Sequence, residues 1–138
     1  MIRIALVDDH AVVRAGLRQY FAEQADLQVV AEAASGRAAL EIVRTGEVDV
    51  MLLDIAMPDQ SGVDALAAIR ARMPELPVLI LSGFPESHYA ITLMRQGASG
   101  YLNKACEPED LLKAIRTVAR GRKYISPGVA EQLAEGLG

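Results

Sequence analysis

The stretch DVMLLDIAMPDQSG, residues 49–62, decides the fold. Val50 to Leu53 is apolar at every position, and the run stops at one carboxylate, Asp54. Pro58 and Gly62 come within the length of a loop. A short run that is apolar throughout, rather than at alternate positions, predicts a strand covered on both faces. Such a strand fixes its last residue rigidly and hands it to a loop. Asp54 is therefore a carboxylate held in place at a sheet edge, with loop backbone on its open side.

Working outward, four more runs read as strands. They are IRIALV (2–7), LQVVAEA (27–33), PVLILS (77–82) and GYLN (100–103). The run at 27–33 is more polar, as an edge strand is. Helical spacing fills the gaps. Val13, Leu17, Tyr20 and Phe21 share a face, as do Ala39, Ile42 and Val43, and Val63, Leu66 and Ile69. Leu111, Leu112, Ile115, Val118 and Ala119 form the clearest stripe, while 87–96 is weaker, with Ile91 and Met94 as its apolar anchors. That shallow pattern makes 87–96 the expected mobile element. Ser35-Gly36 opens the second helix, and Gly97 and Gly121 close the fourth and fifth. Residues 125–138, ISPGVAEQLAEGLG, read as a short extra helix with Ser126 as N-cap and Pro127 first, and with Val129, Leu133 and Leu137 as a thin stripe. Strand–helix alternation repeated five times predicts an α/β fold with a parallel sheet and right-handed crossovers.

Composition bounds the functions. At 138 residues and 51% hydrophobic, the chain is one domain with a real core. A net charge of −4 argues against direct nucleic-acid binding by this chain. The densest basic cluster, Arg116, Arg120, Arg122 and Lys123, reads as a solvated helix end. No apolar run is long enough for a membrane span, and the start lacks the pattern of a signal peptide. Cys106 is the single cysteine and forms no internal disulfide, so a cytoplasmic location is expected.

In a doubly wound sheet the carboxyl ends of the strands share one edge. That edge receives Asp8 and Asp9 from the first run, Asp54 from the third, Ser82 from the fourth and Lys104 just after the fifth. Singly, each has a plain reading: a turn residue, a helix cap or a solvated lysine. Together they are three carboxylates, a hydroxyl and an ammonium. The carboxylates repel one another, and a divalent cation relieves that. Oxygen donors without a His or Cys partner favour Mg2+, with Mn2+ the alternative. The hydroxyl and the ammonium, with no evident partner inside the protein, suit a phosphoryl group.

With those residues in view, the sequence resembles the receiver domain of two-component response regulators. DDHAVVRAGL (8–17), LLDIAMPDQSG (52–62), LILSGF (79–84) and GASGYLNKA (97–105) carry the resemblance, over residues 1–124. It implies a flavodoxin-like (βα)5 three-layer sandwich with strand order 2-1-3-4-5. It also implies that Asp54 is the phospho-acceptor, taking its phosphoryl group from a histidine kinase or a phosphotransfer protein. Asp8, Asp9, Asp54 and the backbone carbonyl of Ala56 are the implied ligands of Mg2+. Ser82 and Lys104 are the implied phosphoryl contacts, Gly83 is expected to leave room beside them, and Tyr101 is the switch aromatic. The implied domain is not an enzyme, though it assists its own phosphorylation and dephosphorylation. Phosphorylation-dependent homodimerisation is a further expectation.

DDH with VRAGL, and GASGYLNKA, resemble the subgroup with a LuxR/NarL-type helix-turn-helix output, and YISPGVAEQLAEG resembles the start of that subgroup's linker. The expectation is a receiver at 1–124 and the start of a linker at 125–138, with the DNA-binding domain of a transcription factor absent from this chain. A stand-alone receiver acting through protein–protein contact is the alternative. An aspartyl-phosphate phosphatase is a third reading, but its DxD pattern is missing, since residue 56 is alanine. A flavodoxin-like nucleotide module lacks its GxGxxG phosphate loop, and zinc at His10, His88 and Cys106 lacks ligand spacing. Ala105 stands where many receivers have a proline after a cis bond; without proline a cis bond costs about 3–4 kcal/mol.

Overall fold

The computed structural model describes residues 1–56, 62–84 and 86–137, with the backbone alone at 86–88 and 137. The loop at 57–61, including Pro58, lies outside the described residues, as do the Leu137 and His88 side chains. The five apolar runs form strands β1 (Ile2–Val7), β2 (Leu27–Ala33), β3 (Val50–Leu53), β4 (Val78–Ser82) and β5 (Gly100–Asn103). They make one sheet in the order β2-β1-β3-β4-β5, and every neighbouring pair is parallel. The expected order is therefore the observed one. β3 and β4 are buried at every position, whereas the edge strand β2 exposes Gln28, Val30 and Glu32 in alternation.

Helices α1 (Ala11–Ala22), α2 (Gly36–Thr45), α3 (Gly62–Arg72), α4 (Glu86–Arg95) and α5 (Pro108–Ala119) cover both faces. The period of two along each strand divides the core. Val7, Met51, Leu53, Ile80 and Tyr101 pack with α2, α3 and α4 through Val43, Leu66, Ile69 and Leu93. Leu6, Leu52, Leu79, Leu81 and Leu102 pack on the other side with Phe21 of α1 and Leu111, Leu112 and Ile115 of α5. The result is a three-layer sandwich.

Helix punctuation agrees with the sequence. Ser35 Oγ accepts the Ala38 N–H at 3.1 Å, and Ser126 Oγ accepts that of Val129 at 3.2 Å. Gly97 and Gly121 have φ of +102° and +79°, left-handed values that suit glycine. Asp49, which opens the deciding stretch, accepts the Arg3 N–H at 2.8 Å and also binds its guanidinium, so it aligns β3 with β1. The Lys104–Ala105 bond is trans, since no described peptide bond is cis.

Three expectations need correction. The anchors of α4 are Ala90 and Leu93, both fully buried, while Ile91 and Met94 are only half-buried. A count of large apolar residues underrates a small one such as alanine. The segment is also not shallowly held. The final helix, α6 (Pro127–Leu137), packs on α4, and its Val129 joins the core. Nor is the basic cluster merely solvated. Arg116 pairs with Asp26 at 2.9 Å and Lys123 donates to the Ala98 carbonyl at 2.9 Å, so each secures a separate turn.

Candidate functional site

Strand register assembles the site. Val7 pairs with Leu53 across β1 and β3, so Asp8 and Asp54, the next residues, leave the sheet side by side. Asp8 N–H donates to Ala33 and Asp54 N–H to Val7, which carries backbone pairing to the last residue of each run. β4 and β5 reach further: Ser82 pairs with Asn103, and Lys104 N–H donates to the Ser82 carbonyl at 2.7 Å. Lys104 then turns back over the strand ends, with its Nζ 2.8 Å from Asp8 and 3.3 Å from Asp54.

The two buried carboxylates differ. Asp54 is 3% exposed; burial pushes its pKa above the ordinary carboxylate value, and the Asp8 charge adds to that push. The Ala56 N–H, 3.2 Å from Asp54 Oδ1, and Lys104 offset only part of it. Burial also pushes Asp8 upward, but Lys104 and the backbone and ring of His10 outweigh it and hold Asp8 below the ordinary value. Burial lowers Lys104, yet the two carboxylates win and raise it, so its ammonium is firmly charged.

The other expected residues fall nearby in different states. Asp9 is exposed at the mouth, and Ala56 is exposed where the described backbone stops. Ser82 is fully buried, and its Oγ accepts the Phe84 N–H at 2.9 Å. Tyr101 is 1% exposed and donates its hydroxyl to the Phe84 carbonyl at 2.9 Å. Space beside Gly83 is open, and a Cβ there would meet nothing within 4 Å. The expectation that Ser82 and Lys104 lack internal partners is also corrected: both are engaged, Lys104 by the same charge excess that was expected to call for a metal.

Two contributors are not evident from the sequence. His10 Nδ1 lies 2.9 Å from Asp8 Oδ1 and 3.1 Å from Asp9 Oδ1, so the oxygen donors do have a histidine beside them. The ring returns to the carboxylates because the His10 N–H donates to Asp8 Oδ1 at 2.8 Å, a turn that spacing does not reveal. Arg14 donates to the backbone carbonyl of Asp8 and pairs with Glu32 of β2 at 3.3 Å, which fixes the end of β1 from behind. Its place one turn into α1, just past an acidic pair, was the available signal.

The donor set suits a divalent cation. One ligand atom from each of Asp8, Asp9, His10 and Asp54 lies within 4.8 Å of the others. His10 belongs to this group and Cys106 does not, so the residues discounted for zinc form no joint site among the described residues.

A doubly wound parallel sheet with an acidic pocket and Lys104 at its strand ends defines the class as flavodoxin-like α/β domains. Within it, the chain belongs to the response regulator receiver domain family, whose model matches residues 4–116. It is 37% identical over 134 residues to the response regulator UvrY of Escherichia coli K12, covering 97% of this chain and 62% of that protein. It is 40% identical over 136 residues to the transcriptional regulatory protein UhpA of Salmonella typhimurium, covering 99% and 68%. Among solved structures it is similar to a LuxR-family two-component response regulator from Aurantimonas sp. SI85-9A1. That match has a TM-score of 0.89 and 35% identity, covering 97% of this chain and 96% of the other. The chain thus spans a little under two thirds of UvrY. No described helix is long and apolar enough to cross a membrane.

Proposed function

We propose that this receiver takes a phosphoryl group onto Asp54 from a phosphohistidine of a kinase or phosphotransfer protein. The Asp54 carboxylate attacks phosphorus, the P–N bond breaks, and the donor imidazole leaves with the electron pair. An acyl phosphate forms. The observation that carries this reading is the pairing of a buried carboxylate, Asp54, with a charged lysine at 3.3 Å on the edge where five strands end. Phosphoryl transfer needs positioning and charge neutralisation more than covalent help. Lys104 already faces the attacking group and exchanges a carboxylate for a phosphoryl oxygen with little movement. Ser82 turns its hydroxyl to a second oxygen, and Tyr101, held on the same Phe84 carbonyl stretch, moves with that loop. Asp8, Asp9, Asp54 and the Ala56 carbonyl would hold Mg2+, or Mn2+, which supplies charge neutralisation at the phosphoryl oxygens. The domain serves as substrate and partner in this transfer and turns over no substrate of its own.

The output we propose is transcriptional control through a DNA-binding segment of a longer protein, with 1–124 as the receiver and 125–138 as the start of the connection. A relative named as a transcriptional regulatory protein, UhpA, of which this chain spans 68%, supports it. The test is labelling by a small phosphodonor. Asp54→Asn is expected to abolish labelling, by at least about 100-fold, with the far-ultraviolet circular dichroism unchanged. Full labelling of that variant at another residue overturns the assignment. Beryllofluoride is likewise expected to add at Asp54 only when Mg2+ is supplied.

A further inference from the structure

We propose that His10 is a further protein donor to the cation pocket, through Nδ1, and that it makes the pocket prefer a borderline transition-metal dication such as Ni2+ over Mg2+. The proposal deepens the cation-site reading above and rests on it. Four observations carry it. First, Nδ1 stands 2.9 and 3.1 Å from oxygens of two different carboxylates. Donors on adjacent corners around an octahedral ion with bonds of about 2.1 Å are roughly 3.0 Å apart. Second, Asp54 completes the group, with all four ligand atoms mutually within 4.8 Å. Third, among the described residues the ring's polar contacts are with these two carboxylates alone. His10 is the N-cap of α1, yet its side chain makes no capping bond, and it is 61% exposed, so it packs no core. Fourth, the ring is placed by its own backbone, since the His10 N–H on Asp8 folds the turn that brings Nδ1 to the carboxylates.

The resulting chemistry is specific. Carboxylate, carbonyl and water donors suit Mg2+ and Mn2+, whereas imidazole suits Ni2+, Zn2+ and Cu2+. Replacing one oxygen or water donor by an imidazole nitrogen strengthens binding of the later metals more than that of Mg2+. The rival account is that the Nδ1 proton simply bridges two carboxylates, as Lys104 bridges Asp8 and Asp54. That account produces the same distances but no metal–nitrogen bond.

Pulsed electron paramagnetic resonance on the full chain loaded with Mn2+ separates the two. We expect the coupling of a directly bound imidazole nitrogen in the wild type and its loss in His10→Gln. Competition of Mg2+ and Ni2+ against bound Mn2+ then gives the affinity ratio, which is expected to fall at least tenfold in His10→Gln. Absence of nitrogen coupling in the wild type overturns the proposal without any variant. So does coupling that survives His10→Gln, or a ratio that shifts less than threefold. If Mg2+ binds and the nitrogen signal is absent, His10 alone loses its role. If none of the three ions binds the wild type, the cation-site reading falls as well.

Discussion

Asp8 and Asp54 share one lysine and are pushed in opposite directions. Asp54 is dominated by burial, whereas Asp8 has two additional contacts from His10 and a closer approach to Lys104. In the metal-free protein Asp54 therefore protonates first as the pH falls. Carboxyl 13C chemical shifts read this directly; Asp8 titrating at or above Asp54 contradicts the geometry. The linkage signs differ accordingly. With its pKa lowered, Asp8 contributes stability above the unfolded carboxylate pKa, about 3.9, and that contribution is lost as pH drops through its folded value. With its pKa raised, Asp54 is destabilising when ionised, and the penalty is relieved as pH drops through its raised value. Asp54→Asn is thus expected to raise the melting temperature of the metal-free protein at neutral pH, although it removes the acceptor.

At the scale of elements, the site depends on two junctions away from its charges. The first closes the deciding stretch on itself. Gly62 N–H donates to the Ile55 carbonyl at 2.8 Å, and a Cβ on Gly62 would sit 2.2 Å from Ile55 Cα. That approach is backbone against backbone, so no rotamer relieves it. Gly62→Ala is expected to cost about 3 kcal/mol or more in denaturant unfolding. It should also slow labelling of Asp54, whose neighbour Ile55 must move. The second junction is Arg70 at the end of α3. Its half-buried guanidinium donates to the carbonyls of Gly97, Met73 and Leu76, which stitches three chain segments below the sheet. Arg70→Met removes these donations, leaving the Met73 carbonyl only the Leu76 N–H at 3.3 Å, and is expected to cost about 2–3 kcal/mol. Arg70→Lys is expected to restore only part of this, because an ammonium lacks the planar fork.

For the molecule as a whole, the charge excess at one end of the sheet is the device. Without a ligand, Lys104 bridges Asp8 and Asp54 and His10 sits on Asp8 and Asp9; a phosphoryl group and a cation would free Lys104 from the carboxylates while the His10 ring stays on the pocket. Phosphorylation is then expected to change association: light scattering should show a doubled mass with beryllofluoride and Mg2+, and a monomer with either alone. A monomer under all conditions removes self-association from the output. The sequence by itself determined the five strands, their parallel arrangement and the edge on which Asp8, Asp9, Asp54, Ser82 and Lys104 meet, while the strand order came from the family resemblance. It could do so because uninterrupted apolar runs and helical spacing are local patterns, and a doubly wound sheet leaves one place for the residue after each strand. Only the tertiary structure decided which of those groups hold one another. Lys104 on Asp8, Ser82 on the Phe84 N–H, His10 folded back on the acids and α6 seated on α4 each depend on a side-chain direction or a long-range contact. Those are set by packing in three dimensions, and a pattern of residue types along the chain carries no record of them.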